Sequence, residues 1–163
     1  MDFEHMLHIL GLSIIPISEI RGAIIYIVNV LKLDGIDLAL TYLLAAAGNI
    51  LPVPFIILLF RPLLKFFKKF RLFKRPCEWI ERRTHKKAGK MSNFGLGALF
   101  LFVAIPLPTT GAWTGAMIAG LFDIRLKRAV PAVSLGVLTA GIIMILLCKI
   151  GETGLGWLSF LIK

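Results

Sequence analysis

Two ionisable residues, Glu19 and Arg21, lie inside an apolar run over residues 5–31, whereas the other long hydrophobic stretches carry no charge. An ionisable side chain at membrane depth is disfavoured by roughly 2.5 to 3.5 kcal/mol on insertion scales, so it usually faces a partner or a polar pathway. Arg21 can hold a phosphate or a carboxylate in its fork geometry, Glu19 can carry a proton, and Ser18 adds a hydroxyl. The alternative is a structural ion pair of Glu19 and Arg21, with each other or with another element.

A second candidate site lies in the middle of the uncharged stretch 91–122. Two prolines and a glycine there interrupt the helix, because proline removes a backbone donor and clashes with the preceding turn. The helix that restarts after them offers unpaired N–H groups, which suit an anion. The threonines add hydroxyl donors, and the tryptophan serves either as a packing or interface residue or as a surface for the ligand. The binding residues of this candidate site are Thr109, Thr110, Gly111 and Trp113, with Pro106 and Pro108 as supporting residues around them.

The composition predicts an integral membrane protein. The chain is 58% hydrophobic with a mean hydropathy of +0.86, against about 45 to 50% apolar residues in soluble domains. Residues 38–60 and 129–148 are uncharged and long enough to span a bilayer, which needs roughly 20 residues per helix.

The interrupted stretches have pieces too short to cross a bilayer alone, such as residues 94–105 and 112–122. Each stretch is therefore either one broken helix that crosses once or a re-entrant hairpin that enters and leaves on one side. Basic residues flank the second stretch on both ends, with Arg125, Lys127 and Arg128 after it. Because basic flanks favour the cytoplasm, the charges favour hairpins at residues 5–31 and 94–122.

The charge of residues 61–93 predicts that this segment is a basic cytoplasmic connector. Its apolar residues recur at helical spacing, which indicates an amphipathic helix at the membrane surface. Anionic lipid headgroups are the expected partner of this charge, and nucleic acid is not. The segment holds 12 of the 19 basic residues, namely Arg61, Lys65, Lys68, Lys69, Arg71, Lys74, Arg75, Arg82, Arg83, Lys86, Lys87 and Lys90.

These features predict an all-α membrane fold of two inverted repeats in one membrane domain, residues 1–163. The first repeat covers 5–60, with its hairpin at 5–31 and its span at 38–60. The second covers 94–150, with its hairpin at 94–122 and its span at 129–148, and residues 151–163 form a C-terminal segment. Gly22 and Gly48 correspond to Gly111 and Gly136 at similar separations. Inverted repeats with broken helices are a transporter architecture, and this layout leaves both termini outside.

The sequence contains no signature of an enzyme, a cofactor site or a metal site. His-Glu-x-x-His, Gly-x-Ser-x-Gly and phosphate-loop motifs are absent. The two cysteines, Cys77 and Cys148, form no metal-binding spacing with His85. We therefore expect a protein that is not an enzyme.

Two motifs, IPISEIRGA at residues 15–23 and AIPLPTTGAWTGA at residues 104–116, resemble the signatures of the bacterial small multi-drug export protein family. That family is similar in layout to the DedA superfamily, whose members have paired re-entrant hairpins and include flippases of polyprenyl-phosphate lipids. The resemblance implies a role for Glu19, which follows the first tip, and for Pro16 there. It also implies supporting roles for Arg125 and Arg128 after the second hairpin.

The leading hypothesis is a proton-coupled transporter in the cytoplasmic membrane that moves an amphipathic, lipid-phosphate-like anion. One alternative is an exporter of lipophilic cationic drugs. Another is a non-transporting scaffold or scramblase partner that acts through the basic amphipathic helix. A protomer of 18.1 kDa encloses little volume, which is consistent with a homodimer.

Overall fold

The structure, a computed structural model, describes residues 3–67, 92–107 and 110–161. Every regular element in these residues is a helix, which confirms the predicted all-helical fold. The helices are α1 (Phe3–Ile14), α2 (Glu19–Ile25) with a π-helical turn directly after it (Tyr26–Val30), α3 (Gly35–Ile50), α4 (Val53–Phe67), α5 (Ser92–Ala104), α6 (Ala112–Leu121) and α7 (Leu126–Leu161).

Two interruptions separate pairs of short helices. The first break, residues 15–18, lies between α1 and α2 and contains Pro16; the second break, residues 105–111, lies between α5 and α6 and contains Pro106. Both positions agree with the prediction, because a proline ring cannot continue the hydrogen-bond ladder of the preceding turn. Whether the two pairs are re-entrant stays a prediction.

Two apolar helical stretches are long enough to cross a membrane, over residues 35–60 and 126–151. They include the predicted spans 38–60 and 129–148. The first stretch is not one uninterrupted helix, since a turn at Leu51 and Pro52 separates α3 from α4. The second is part of α7, which continues to Leu161 through the predicted C-terminal segment.

The chain forms two compact units. The first unit comprises Met1–Asn49 and Leu138–Lys163, and the second comprises Ile50–Val137. Helix α7 therefore contributes its first part to the second unit and the remainder to the first unit.

In the first unit, α1 packs against α2 and α3 approaches both α1 and α7. A Cβ atom on Gly48 would lie 3.1 Å from Leu10 Cδ2, and one on Gly141 would lie 2.6 Å from Tyr42 Cε2. The Tyr42 hydroxyl donates a hydrogen bond to the Leu138 carbonyl oxygen at 2.7 Å. Small residues and a polar cross-link thus hold α3 in its place, as is common where no hydrophobic effect acts between helices in lipid.

In the second unit, α4 and α5 both pack against α6. A Cβ atom on Gly120 would lie 3.1 Å from Phe60 Cβ. One on Gly136, in the first part of α7, would lie 2.7 Å from Val103 Cβ and 3.0 Å from the Phe100 carbonyl oxygen. In both units, therefore, a glycine on one helix allows the backbone of that helix to lie close to the neighbouring helix.

Helix α4 extends seven residues into the predicted connector, to Phe67. The rest of the predicted amphipathic segment, over residues 68–91, and most of the basic residues of the connector lie outside the described residues, as do Pro108 and Thr109.

Candidate functional site

Glu19 is the first residue of α2 and has an unusual backbone conformation. Its φ is +51°, in the left-handed region that costs a non-glycine residue roughly 1 to 2 kcal/mol. Its side chain is only 5% exposed. A strained residue persists only where its surroundings hold it, and such residues cluster at functional sites.

The backbone next to Glu19 is held by hydrogen bonds on both sides. The Glu19 N–H donates to the Ile15 carbonyl oxygen at 2.9 Å. The next N–H along the chain is that of Ile20. Its partner is the Asn49 side chain of α3: with the amide oriented to satisfy both of its ends, Oδ1 accepts from Ile20 N–H at 3.2 Å.

Asn49 also serves the other side of the first break. In the same orientation its amide nitrogen donates to the Ser13 carbonyl oxygen at 3.2 Å. The Asn49 side chain is fully buried. One amide thus links the end of α1 to the start of α2 and supplies partners to backbone groups that have no water to bind in a bilayer.

Two further buried hydroxyls in the first unit bond to their own helices. Ser13 Oγ donates to the Ile9 carbonyl oxygen at 2.6 Å, and Thr41 Oγ1 donates to the Asp37 carbonyl oxygen at 2.7 Å. Such bonds to the preceding turn satisfy the hydroxyl and often bend the helix. They leave Glu19 as the buried acidic group of the first unit's described residues.

Ser18 and Arg21 lie beside Glu19, as the sequence requires. The half-buried Arg21 interacts electrostatically with Glu19. The two charged residues of the first apolar run therefore share one local site. Ser18 packs over Gly22, where a Cβ atom would overlap its hydroxyl. Pro16 is exposed on the break itself.

Two threonines, one in the second break and one in the first turn of α6, bond to backbone groups beside them. Thr110 Oγ1 is 2.9 Å from the carbonyl oxygens of both Ile105 and Leu107, so its proton is used inside the break. The Gly111 N–H, at the start of α6, donates to Thr114 Oγ1 at 2.9 Å. Two of the predicted anion donors, the Thr110 hydroxyl and the Gly111 N–H, therefore have partners within the described part of the chain.

The remaining predicted residues occupy different surroundings. Trp113 in the first turn of α6 and Pro106 in the second break are half-buried, while Arg125 and Arg128 are exposed at the start of α7. These four residues belong to the second unit, whereas Ser18, Glu19 and Arg21 belong to the first unit.

Sequence reasoning missed Asn49. A signal was present, because an amide in the middle of an uncharged 23-residue stretch must find partners in the bilayer. Tyr42, in the same stretch, gave a similar signal. Neither residue carries a charge, so neither stands out in an apolar stretch in the way that Glu19 and Arg21 do.

The first break and the start of α2 bring together a buried carboxylate, an adjacent guanidinium and backbone outside a regular helix. In membrane proteins, ionisable groups beside broken helices are typical of ion and substrate pathways.

Residues 19–143 match the sequence profile of the family described as small multi-drug export protein. The matching region begins at Glu19 and contains both α2 and the second break. No curated protein and no solved structure matches the chain.

The backbone strain at Glu19 predicts an unusual preference for glycine. We expect Glu19→Gly to be more stable than Glu19→Ala by about 0.5 to 1 kcal/mol, and so to unfold at a higher temperature, because glycine adopts positive φ at little cost. Both variants lose the carboxylate, so their difference in thermal unfolding in detergent isolates the backbone. The control is Ala47→Gly on α3, where glycine should destabilise the helix. Equal stability of the two Glu19 variants would contradict the strained conformation.

Proposed function

The chain belongs to the small multi-drug export protein family, and from this premise we propose that it is a transporter in which Glu19 carries the coupling proton. The observation that carries the proposal is the burial of this carboxylate at a helix break, in a strained backbone conformation. Such a group is costly in a purely structural role. The transporter moves an amphipathic substrate across the cytoplasmic membrane.

The short helices support re-entrant hairpins in this proposal. Helices α1, α5 and α6 have 12, 13 and 10 residues, or roughly 15 to 20 Å at 1.5 Å per residue, against about 30 Å of hydrocarbon. The breaks also expose apolar side chains, with Ile17 96% and Leu107 54% exposed, which suits contact with lipid rather than water. Each pair then enters and leaves the bilayer on one side.

Matching contacts support two repeats. Gly48 packs against α1 at Leu10, and Gly136 packs against α5 at Val103. Each glycine belongs to the long apolar stretch that follows a helix pair in the sequence. In our proposal the charges orient the repeats oppositely, with the first pair opening outside and the second opening to the cytoplasm. This layout is DedA-like.

The substrate class follows from Arg21. A half-buried guanidinium beside the first break favours a carboxylate or phosphate, which it binds with two parallel hydrogen bonds. An amphipathic molecule reaches such a site from the lipid phase. We therefore propose a lipid-phosphate-like anion as the substrate, with Glu19 taking up a proton as the anion binds.

One observation favours a second candidate, the export of lipophilic cations. Glu19 is buried whereas Arg21 is half-buried, so a substrate that reaches the carboxylate would meet a negative group. The family description as a multi-drug export protein is in line with this candidate.

The proposed orientation predicts opposite accessibility of two loops. In a chain with both native cysteines replaced, Asp34→Cys should react with an impermeant maleimide in intact cells. Lys127→Cys should react only after the membrane is opened, because its basic neighbours keep it in the cytoplasm. Labelling of both positions from the same side would exclude the inverted layout.

Proton coupling predicts a specific defect in Glu19→Gln. In proteoliposomes, we expect the movement of a short-chain fluorescent phosphatidic acid to fall to the level of protein-free vesicles, since the amide cannot exchange a proton. Reconstituted amounts should not change. The matched control is Glu4→Gln, an exposed position in the first turn of α1, which should move the lipid as the wild type does. Wild-type flux in Glu19→Gln would refute coupling through this residue.

The two substrate classes predict opposite responses to Arg21→Ala. If the substrate is an anion, the variant should bind short-chain phosphatidic acid about tenfold or more weakly, because a hydrogen bond to a charged group contributes about 1.5 to 3 kcal/mol. Tetraphenylphosphonium, a lipophilic cation, should show no such loss. Thermophoresis of the purified protein measures both, with exposed Lys127→Ala as the control. Binding of the cation alone by the wild type would support the second candidate instead.

A further inference from the structure

We propose that Asn49 is a positioning residue, which fixes the peptide groups around Glu19 and so sets the direction of its carboxylate; this inference rests on the proposed function of Glu19. Asn49 lies on α3, far along the chain from the first break. Its side chain is fully buried and bonds to one backbone group on each side of the break, the Ser13 carbonyl oxygen and the Ile20 N–H.

The position of the hydrogen bond makes it specific for Glu19. The Ile20 N–H belongs to the peptide group directly after Glu19, and the Glu19 N–H belongs to the one directly before it. Ile15 holds the earlier group at 2.9 Å and Asn49 holds the later one at 3.2 Å. With both peptide planes held, the backbone stays in the left-handed conformation that its own sterics disfavour. The direction in which the side chain leaves the backbone is then set as well.

The two backbone partners of Asn49 require a side chain that donates one hydrogen bond and accepts another at the same time. Ser13 offers a carbonyl oxygen and Ile20 offers an N–H, and at neutral pH a carboxamide supplies the matching donor and acceptor. A leucine of similar size supplies neither. An ionised aspartate accepts from Ile20 but cannot donate to Ser13, whereas a protonated aspartic acid can do both.

The packing of α3 brings the amide within reach. The neighbouring Gly48 allows close approach to α1, since a Cβ atom there would lie 3.2 Å from Ser13 Cβ. At the other end of the same helix region, Tyr42 is bonded to the Leu138 carbonyl oxygen at 2.7 Å. Asn49 is thus presented by a helix that is itself fixed within the first unit.

The first experiment measures the backbone directly and does not depend on transport. Amide hydrogen exchange of the full chain in nanodiscs should be faster in Asn49→Leu than in wild type, by about tenfold or more, for peptides that contain residues 18–24. Peptides from α6 should be unchanged. The control is Asn29→Leu, at an exposed position of the π turn, which should match the wild type. Unchanged exchange at residues 18–24 in Asn49→Leu would overturn the proposal.

The second experiment separates positioning from general stability by a pH profile. Transport by Asn49→Asp, as a fraction of wild-type transport at the same pH, should rise as acidification protonates the new carboxyl, because the missing donor to Ser13 returns. The ratio for Asn49→Leu should stay low at every pH, and that for Asn29→Asp should stay near one. A flat ratio for Asn49→Asp would overturn the positioning role.

The two experiments also separate this inference from the proposed function. Faster exchange in Asn49→Leu together with wild-type transport in Glu19→Gln would show that Asn49 orders the break while Glu19 does not couple protons, and would overturn the positioning of a functional carboxylate. Normal exchange in Asn49→Leu together with loss of transport in Glu19→Gln would overturn the role of Asn49 and leave the proposed function intact.

Discussion

The structure depends on the satisfaction of backbone hydrogen bonds where helices break in an apolar environment. Each break frees N–H and C=O groups that water cannot reach in a bilayer. The two breaks meet this constraint differently. At the first, the amide of Asn49 comes from another helix and pairs with Ser13 and Ile20. At the second, Thr110 and Thr114 bond to the backbone of their own segment.

Close helix packing follows from the same environment. Lipid tails are as apolar as leucine, so helices associate in a membrane through close contact rather than through a hydrophobic effect. Glycines stand at such close contacts, for example Gly48 in the first unit and Gly136 in the second. Because backbone groups approach each other at these glycines, a side chain such as Asn49 can reach the neighbouring helix. The hydrogen bonds of the buried amide therefore depend on the close packing of the helices.

Much of this fold could be predicted from the sequence, because its main signals are local. Charge-free runs predicted the apolar helices, and Pro16 and Pro106 predicted the breaks. Other features depend on tertiary contacts and could not be predicted. The positive φ of Glu19 is one, because nothing in the residue type favours it. The pairing of Asn49 with residues so distant in the sequence is another. The membership of the small multi-drug export family is confirmed, whereas the site residues, the repeats and the substrate stay predictions.

The different solutions at the two breaks bear on where ionic chemistry can reside. At the second break, the proton of Thr110 is engaged by carbonyl oxygens of the same segment, those of Ile105 and Leu107. At the first break the supporting amide comes from another helix, from Asn49 on α3. Glu19 begins the helix directly after this break, and the cost of its burial and of its left-handed backbone adds to several kcal/mol on general scales, about 1 to 2 of it from the backbone alone. Under the proposed function, this cost has a use: the buried amide holds the backbone beside Glu19, and its carboxyl group is then held in one direction while it exchanges its charge.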